Sequence, residues 1–170
     1  MDHKRFEKGY LPLFLSYYKP HLNLFLLDMC CALGIALVDL AFPYASRMAL
    51  NELLPQNLFG AFFAVMAVLL LAYGLRAGMN YVVTYWGHMM GVRIEADIRR
   101  DLFYHMQDLS FSFYDKNRTG QLMSRATNDL FEITELSHHG PEDLFISVVT
   151  LGGAFVLMCT ILWKLALIVF

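Results

Sequence analysis

Ionisable side chains inside long apolar runs are the first chemistry this sequence offers. Asp28 and Asp39 interrupt the run from Leu22 to Ala45, and Arg76 interrupts the run from Phe59 to Trp86. A lone charge in hydrocarbon is costly, so such residues pair, line a water-filled cavity or reach for the headgroups. Counting 1.5 Å per residue back from a polar connection at 47–58, Arg76 lies about 26 Å below Phe59, Asp28 about 28 Å below Arg47 and Asp39 about 12 Å. Depth therefore pairs Arg76 with Asp28 near the inner boundary, the alternative being an Arg76 that snorkels to the headgroups. Asp39 is left as a candidate cavity-facing carboxylate, with a hydrogen-bonded structural role as its alternative.

Other reactive types give less. His138 and His139 suggest a metal, but neighbouring helical residues diverge and no third ligand is spaced to join them, so no metal site is assigned. There is no G-x-S-x-G and no H-E-x-x-H, and no catalytic residue is named. No Gly-Lys pair occurs either, so the chain lacks the G-x-x-x-x-G-K-[ST] loop that cradles nucleotide phosphates and has no cofactor site of that kind. Cys30, Cys31 and Cys159 lie in apolar runs without metal-type spacing and read as reduced small hydrophobes. Gly74 with Gly78, and Gly87 with Gly91, have the small-xxx-small spacing that lets helices approach closely.

The stretch from Asp97 to Asp129 is polar and sits between apolar regions. An apolar stripe at Ile94, Ile98, Leu102, Met106, Leu109 and Phe113 has helical spacing, and Leu122, Ala126, Leu130 and Ile133 restart it. Between them, Ser112 with Asp115 fits a capping box for a very short helix, and Asn117 to Gly120 supplies turn chemistry. Two helices thus meet at a small exposed knuckle. Its residues Ser112, Phe113, Tyr114, Asp115, Lys116 and Asn117 are the candidate partner-binding segment, because large exposed aromatics invite burial against another surface. The competing reading folds them back onto their own two helices. Arg118 and Arg125 could meet the same partner or remain solvated.

The elements that carry these residues follow from composition. Of 170 residues, 58% are hydrophobic and 16% charged, well below the roughly one quarter charged of soluble domains, which predicts an all-α, polytopic membrane bundle. A net charge of −2 gives no case for nucleic acid; the partners expected are lipids and protein. Residues 1–21 read as a tail and an interfacial elbow helix, with Tyr10, Leu13, Phe14, Tyr17 and Tyr18 at headgroup depth and Pro20 breaking the helix. Residues 22–46 form a first span closed by Pro43 and Tyr44, 47–58 an external loop, and 59–111 a second helix. At about 75 Å that helix exceeds twice the bilayer core, so its lower half stands in water. Residues 112–120 are the knuckle. A third helix at 121–163 is interrupted at Gly140-Pro141 and restarts with Glu142 and Asp143 at its dipole, and 164–170 begin a fourth run. That unfinished run implies the front part of a longer protein, unless it is an external tail. Lys4, Arg5, Lys8, Lys19, Arg93, Arg99, Arg100, Lys116, Arg118 and Arg125 gather on one side against Arg47 and Lys164 on the other. The positive-inside rule then makes the amino terminus and the 88–139 region cytoplasmic in a cell membrane.

The run R-x-D-L-F-x-H-M-x-x-L-S-F-S-F-Y-D-x-x-R-T-G-x-L-M-S-R-x-T-N-D, Arg99 to Asp129, resembles the first intracellular loop of type I exporters of the ATP-binding cassette (ABC) family. Lys19-Pro20, Pro43 and Trp163 to Ile168 resemble that family's elbow, first-helix exit and third-to-fourth hairpin. The resemblance implies that Ser112 to Asn117 form a coupling helix docking on a nucleotide-binding domain of the same longer chain, which would bind ATP and Mg. It further implies a second half-transporter, as a homodimer, a heterodimer or a fused pair. A small non-transporting membrane scaffold whose knuckle binds a cytosolic partner is the alternative.

Overall fold

The computed structural model describes residues 9–169, apart from the side chains of residues 165 and 168. Lys4, Arg5 and Lys8 of the amino-terminal tail lie outside the described residues. The described chain is helical throughout: α1 (Tyr10–Ser16), α2 (Leu22–Met48), α3 (Phe59–Gln107), α4 (Phe111–Lys116) and α5 (Thr119–Val169). Three stretches, Tyr10–Leu53, Phe59–Gln107 and Thr119–Lys164, are long and apolar enough to cross a membrane.

Helix ends follow local chemistry, not always where composition places them. Pro20 sits in a single 3-10 turn, Lys19–His21, directly before α2, where its fixed φ and missing N–H are tolerated. Pro43 does not close α2. The helix runs through it to Met48 and continues as a wide turn over Ala49–Leu53, in which Leu54 N–H donates to the Ala49 carbonyl at 3.1 Å. The stop comes at Pro55 and at Asn57, whose φ of 57° is the left-handed conformation that asparagine tolerates. The connection between α2 and α3 is therefore shorter than 47–58. Pro141 does not restart a helix either: α5 passes through it, so Glu142 and Asp143 lie inside the helix and not in a first turn. A non-helical residue, Leu162 (φ −151°, ψ 81°), lies next to the expected boundary at 163.

The chain forms two compact units, each drawing on α2, α3 and α5. One unites the segment up to Leu27 with Tyr85–Pro141. Its core is Tyr17, Tyr18, Met90 and Ile94, flanked by Leu13, Phe14, Leu24, Phe25 and Ile98. Tyr10 is open to its surroundings, whereas Tyr17 and Tyr18 are buried within the fold. Each has an internal acceptor: the Tyr17 hydroxyl donates to Asp101 Oδ2 at 3.0 Å, and the Tyr18 hydroxyl to the Ser137 carbonyl at 2.8 Å. His21 meets Asp97 at 3.0 Å, so the elbow segment is held on the α3 face by two carboxylates one turn apart.

The Tyr18 bond has a sequence cause. Proline at 141 has no N–H, so the carbonyl four residues earlier, Ser137, loses its intrahelical donor, and a buried acceptor needs another. Tyr18 supplies it. Tyr18→Phe is expected to destabilise the full-length protein by about 1–2 kcal/mol, the range for stranding a buried acceptor. In a Pro141→Ala background, where the new N–H takes the carbonyl, the loss is expected to shrink. Equal losses in both backgrounds, read from melting in detergent, would count against this account.

The other unit unites Asp28–Thr84 with the chain from Glu142 onward. Small residues let its helices approach. A Cβ on Gly34 would lie 2.6 Å from Met79 Sδ, and one on Gly153 2.3 Å from Leu40 Cδ1. Ala32 and Ala36 are buried, and Phe42 packs edge-on against Tyr73 at 5.2 Å.

Candidate functional site

The apolar stripe on α3 and its continuation on α5 are buried or half-buried as their spacing predicts, with Ile94 fully buried and Leu130 at 4%. Between these helices the chain reverses through α4, only six residues long. α3 ends in tight turns, with Asp108 and Leu109 N–H groups donating to His105 and Met106 carbonyls at 3.2 and 3.3 Å. The cap is Ser110 and not Ser112: α4 starts at Phe111, its N-cap makes no side-chain capping bond, and the two serine hydroxyls bond each other at 2.8 Å. Asn117 closes α4 twice on the Phe113 carbonyl, by its backbone N–H at 3.0 Å and its Nδ2 at 2.9 Å. α5 then begins at Thr119, so Gly120 is already helical.

The six expected knuckle residues divide between two roles. Ser112, Asp115, Lys116 and Asn117 are exposed. Phe113 and Tyr114 are half-buried and pack edge to face at 5.5 Å, and the Tyr114 hydroxyl donates to the Met106 carbonyl, so this pair anchors α4 to α3. The aromatic offered outward is one the sequence reading omitted, Phe111, at 92% exposure. Its signal is present in the sequence: position 111 falls off the stripe that ends Met106, Leu109, Phe113. α4 is thus a short platform carrying an exposed phenylalanine beside the exposed Asp115 and Lys116.

The intramembrane charges correct the depth argument. Arg76 pairs with Asp39 and not with Asp28, through Nε to Oδ1 at 2.7 Å and a second guanidinium nitrogen to Oδ2 at 2.8 Å. This fork-to-fork geometry is the strong form of the Arg–carboxylate contact. The guanidinium also lies 5.8 Å from the Tyr73 ring centre. Depth misled because α2 continues to Leu53. Counted from Leu54, Asp39 is about 22 Å down its helix, and Arg76 is about 26 Å down from Phe59. Asp39 therefore takes an ion-pair role in this chain. Asp28 is fully buried, with the carboxylate of Glu142, itself 8% exposed, within 4.8 Å. Sequence reasoning assigned Glu142 to a helix dipole and missed this neighbour.

Gly87 and Gly91 do mark a close approach. A Cβ on Gly91 would stand 3.2 Å from Thr134, and one on Gly87 would stand 2.0 Å from the His138 ring, whereas Gly74 and Gly78 face open space. At that approach the third histidine that the sequence did not supply arrives from α3. His88 lies 4.6 Å from His138 and 5.7 Å from His139 between ring centres, and His138 lies 4.5 Å from His139.

Three stretches long and apolar enough to cross a membrane, with a six-residue helix between the second and the third, define a helical membrane domain. The chain belongs to the ABC transporter transmembrane region family, which matches residues 25–170. It is a multi-pass membrane protein. It is similar to the uncharacterised ABC transporter ATP-binding protein YwjA of Bacillus subtilis, with 50% identity over 92% of this chain and 27% of that protein. An ATP-dependent lipid A-core flippase of Idiomarina loihiensis is 28% identical over 99% of this chain and 29% of its own length. The ABC-type oligopeptide transporter ABCB9 of Mus musculus is 30% identical over 92% of this chain and 20% of its own. The chain thus spans between a fifth and a third of these relatives.

Proposed function

We propose that this chain is the leading part of the transmembrane domain of an ATP-driven exporter, lining part of the substrate pathway and receiving the stroke of a nucleotide-binding domain through α4. The nucleotide-binding domain belongs to the same longer protein and carries the ATP and Mg. A second half-transporter completes the pathway. The amino terminus, α4 and the flanking halves of α3 and α5 face the cytoplasm.

What supports the reading is α4 itself: a six-residue helix with an exposed phenylalanine, held between two helices of 49 and 51 residues. Rods of that length carry a displacement from the aqueous side into the bilayer, provided they pack along their stripe. The relatives named as a lipid A-core flippase and an oligopeptide transporter support a lipid or peptide substrate. The non-transporting scaffold has no counterpart among the relatives named here.

Placement of α4 is tested by labelling. With Cys30, Cys31 and Cys159 replaced, Asn117→Cys is expected to react with an impermeant maleimide in inside-out vesicles and to stay silent in intact cells. Labelling from outside, or from neither side, would overturn the proposed orientation.

A further inference from the structure

We propose that His88, His138 and His139 form a binding site for one divalent transition-metal ion of the Zn²⁺ class, tying α3 to α5. One nitrogen from each imidazole lies within 4.8 Å of the other two. In a tetrahedral site with metal–nitrogen bonds of about 2.0–2.1 Å, imidazole donors stand about 3.4 Å apart and ring centres about 5 Å apart. The observed centre-to-centre distances of 4.5, 4.6 and 5.7 Å bracket that value. Small rotations about the side-chain torsions close the remainder. Neighbouring residues on one helix diverge by about 100°, so His138 and His139 alone make no site. Convergence is achieved because His88 enters from the facing helix.

The surroundings fit a built site. His138 is buried, and its ring occupies the space left by the absent side chain of Gly87, so the backbone of α3 fixes where that ring stands. His88 and His139 are exposed, which gives an ion a route in. Glu135 Oε2 lies 3.6 Å from His139 Nε2, placed as the carboxylate that orients a ligating histidine. Three imidazoles without a thiolate suit Zn²⁺, Co²⁺, Ni²⁺ or Cu²⁺, whereas Ca²⁺ and Mg²⁺ demand oxygen donors. The fourth position is left to water. A bound ion joins the two helices beside the close contact at Gly87.

The test is metal binding by the full-length protein, purified without a polyhistidine tag, stripped with chelator and held in lipid nanodiscs. Zn²⁺ titration by calorimetry is expected to give one site per chain, and Co²⁺ the intense visible absorption of a four-coordinate centre. His88→Ala and His139→Ala, both at exposed positions, are each expected to weaken Zn²⁺ binding at least tenfold while melting as the parent does without metal. His105→Ala is expected to leave it unchanged. Absence of Zn²⁺ binding in the parent, or unchanged affinity in either variant, overturns the site. The readout involves no transport, so its failure leaves the coupling role of α4 standing, and failure of that role leaves the site standing.

Discussion

Phe111→Ala in the intact transporter is expected to lower ATP-driven transport at least tenfold while the protein folds and inserts normally. The side chain is 92% exposed, so its removal changes stability by no more than about 0.5 kcal/mol. Against a partner the same ring is worth about 2 kcal/mol, the range for burying a phenylalanine and for an interface hot spot, and that is more than a tenfold change in a docking equilibrium. ATP hydrolysis is expected to fall less than transport, because the loss lies in transmission and not in chemistry. Phe113→Ala makes the contrast. Its ring packs against Tyr114, whose hydroxyl holds the Met106 carbonyl, so that variant also loosens α4 on α3 and lowers stability. Proteoliposome transport and ATPase rates, measured side by side, decide it; a Phe111→Ala protein with parental transport removes α4 from the coupling path.

The contrast between these two phenylalanines shows what a single sequence reveals. Burial on one helix is periodic, so Ile94, Leu130 and Ile133 could be placed on an inward face from spacing alone. The short helix and the turn after it were legible because Asn117 to Gly120 supplies turn chemistry beyond the stripe, although the cap expected at Ser112 falls at Ser110. Phe111 falls off the stripe, where periodicity gives no reason to expect a contact. Relations between helices were the weaker ground. Placing Arg76 against a carboxylate needed the true end of α2, and Pro43 looks like a stop although Pro55 and Asn57 make the turn. A proline inside a long helix is tolerated when the freed carbonyl finds another donor, as Ser137 finds Tyr18. The histidine cluster was beyond reach for a related reason. His88 and His138 are fifty positions apart, and periodicity gives each helix a face but no register between faces. The hint available was glycine at 87 and 91, whose spacing marks a close approach without naming what lies opposite.

Register between helices is also what the Arg76–Asp39 pair supplies, and breaking it is expected to cost more stability than any other single change considered for this chain. Both side chains retain about a third of their exposure, 33% and 37%, so the loss falls short of the 3–5 kcal/mol of a fully buried pair. In a membrane the alternative to pairing is a lone charge among apolar groups, which keeps the expected cost of Arg76→Gln or Asp39→Asn near 2 kcal/mol each. The double variant is expected to recover to within about 1 kcal/mol of the parent, because two neutral amides can bond each other and no charge is stranded. That non-additivity, about 3 kcal/mol and at the top of the range for contacting groups, is the signature of the pair. Asp28 provides the control. It lies eleven positions, about 16 Å, from Asp39 along α2, so Arg76→Gln with Asp28→Asn is expected to be additive to about 0.5 kcal/mol. Unfolding of the full-length protein in mixed micelles gives all the free energies needed. Additivity of Arg76 with Asp39, or coupling of Arg76 with Asp28, would reverse the registration of α2 on α3 and restore the pairing that helix depth alone suggests.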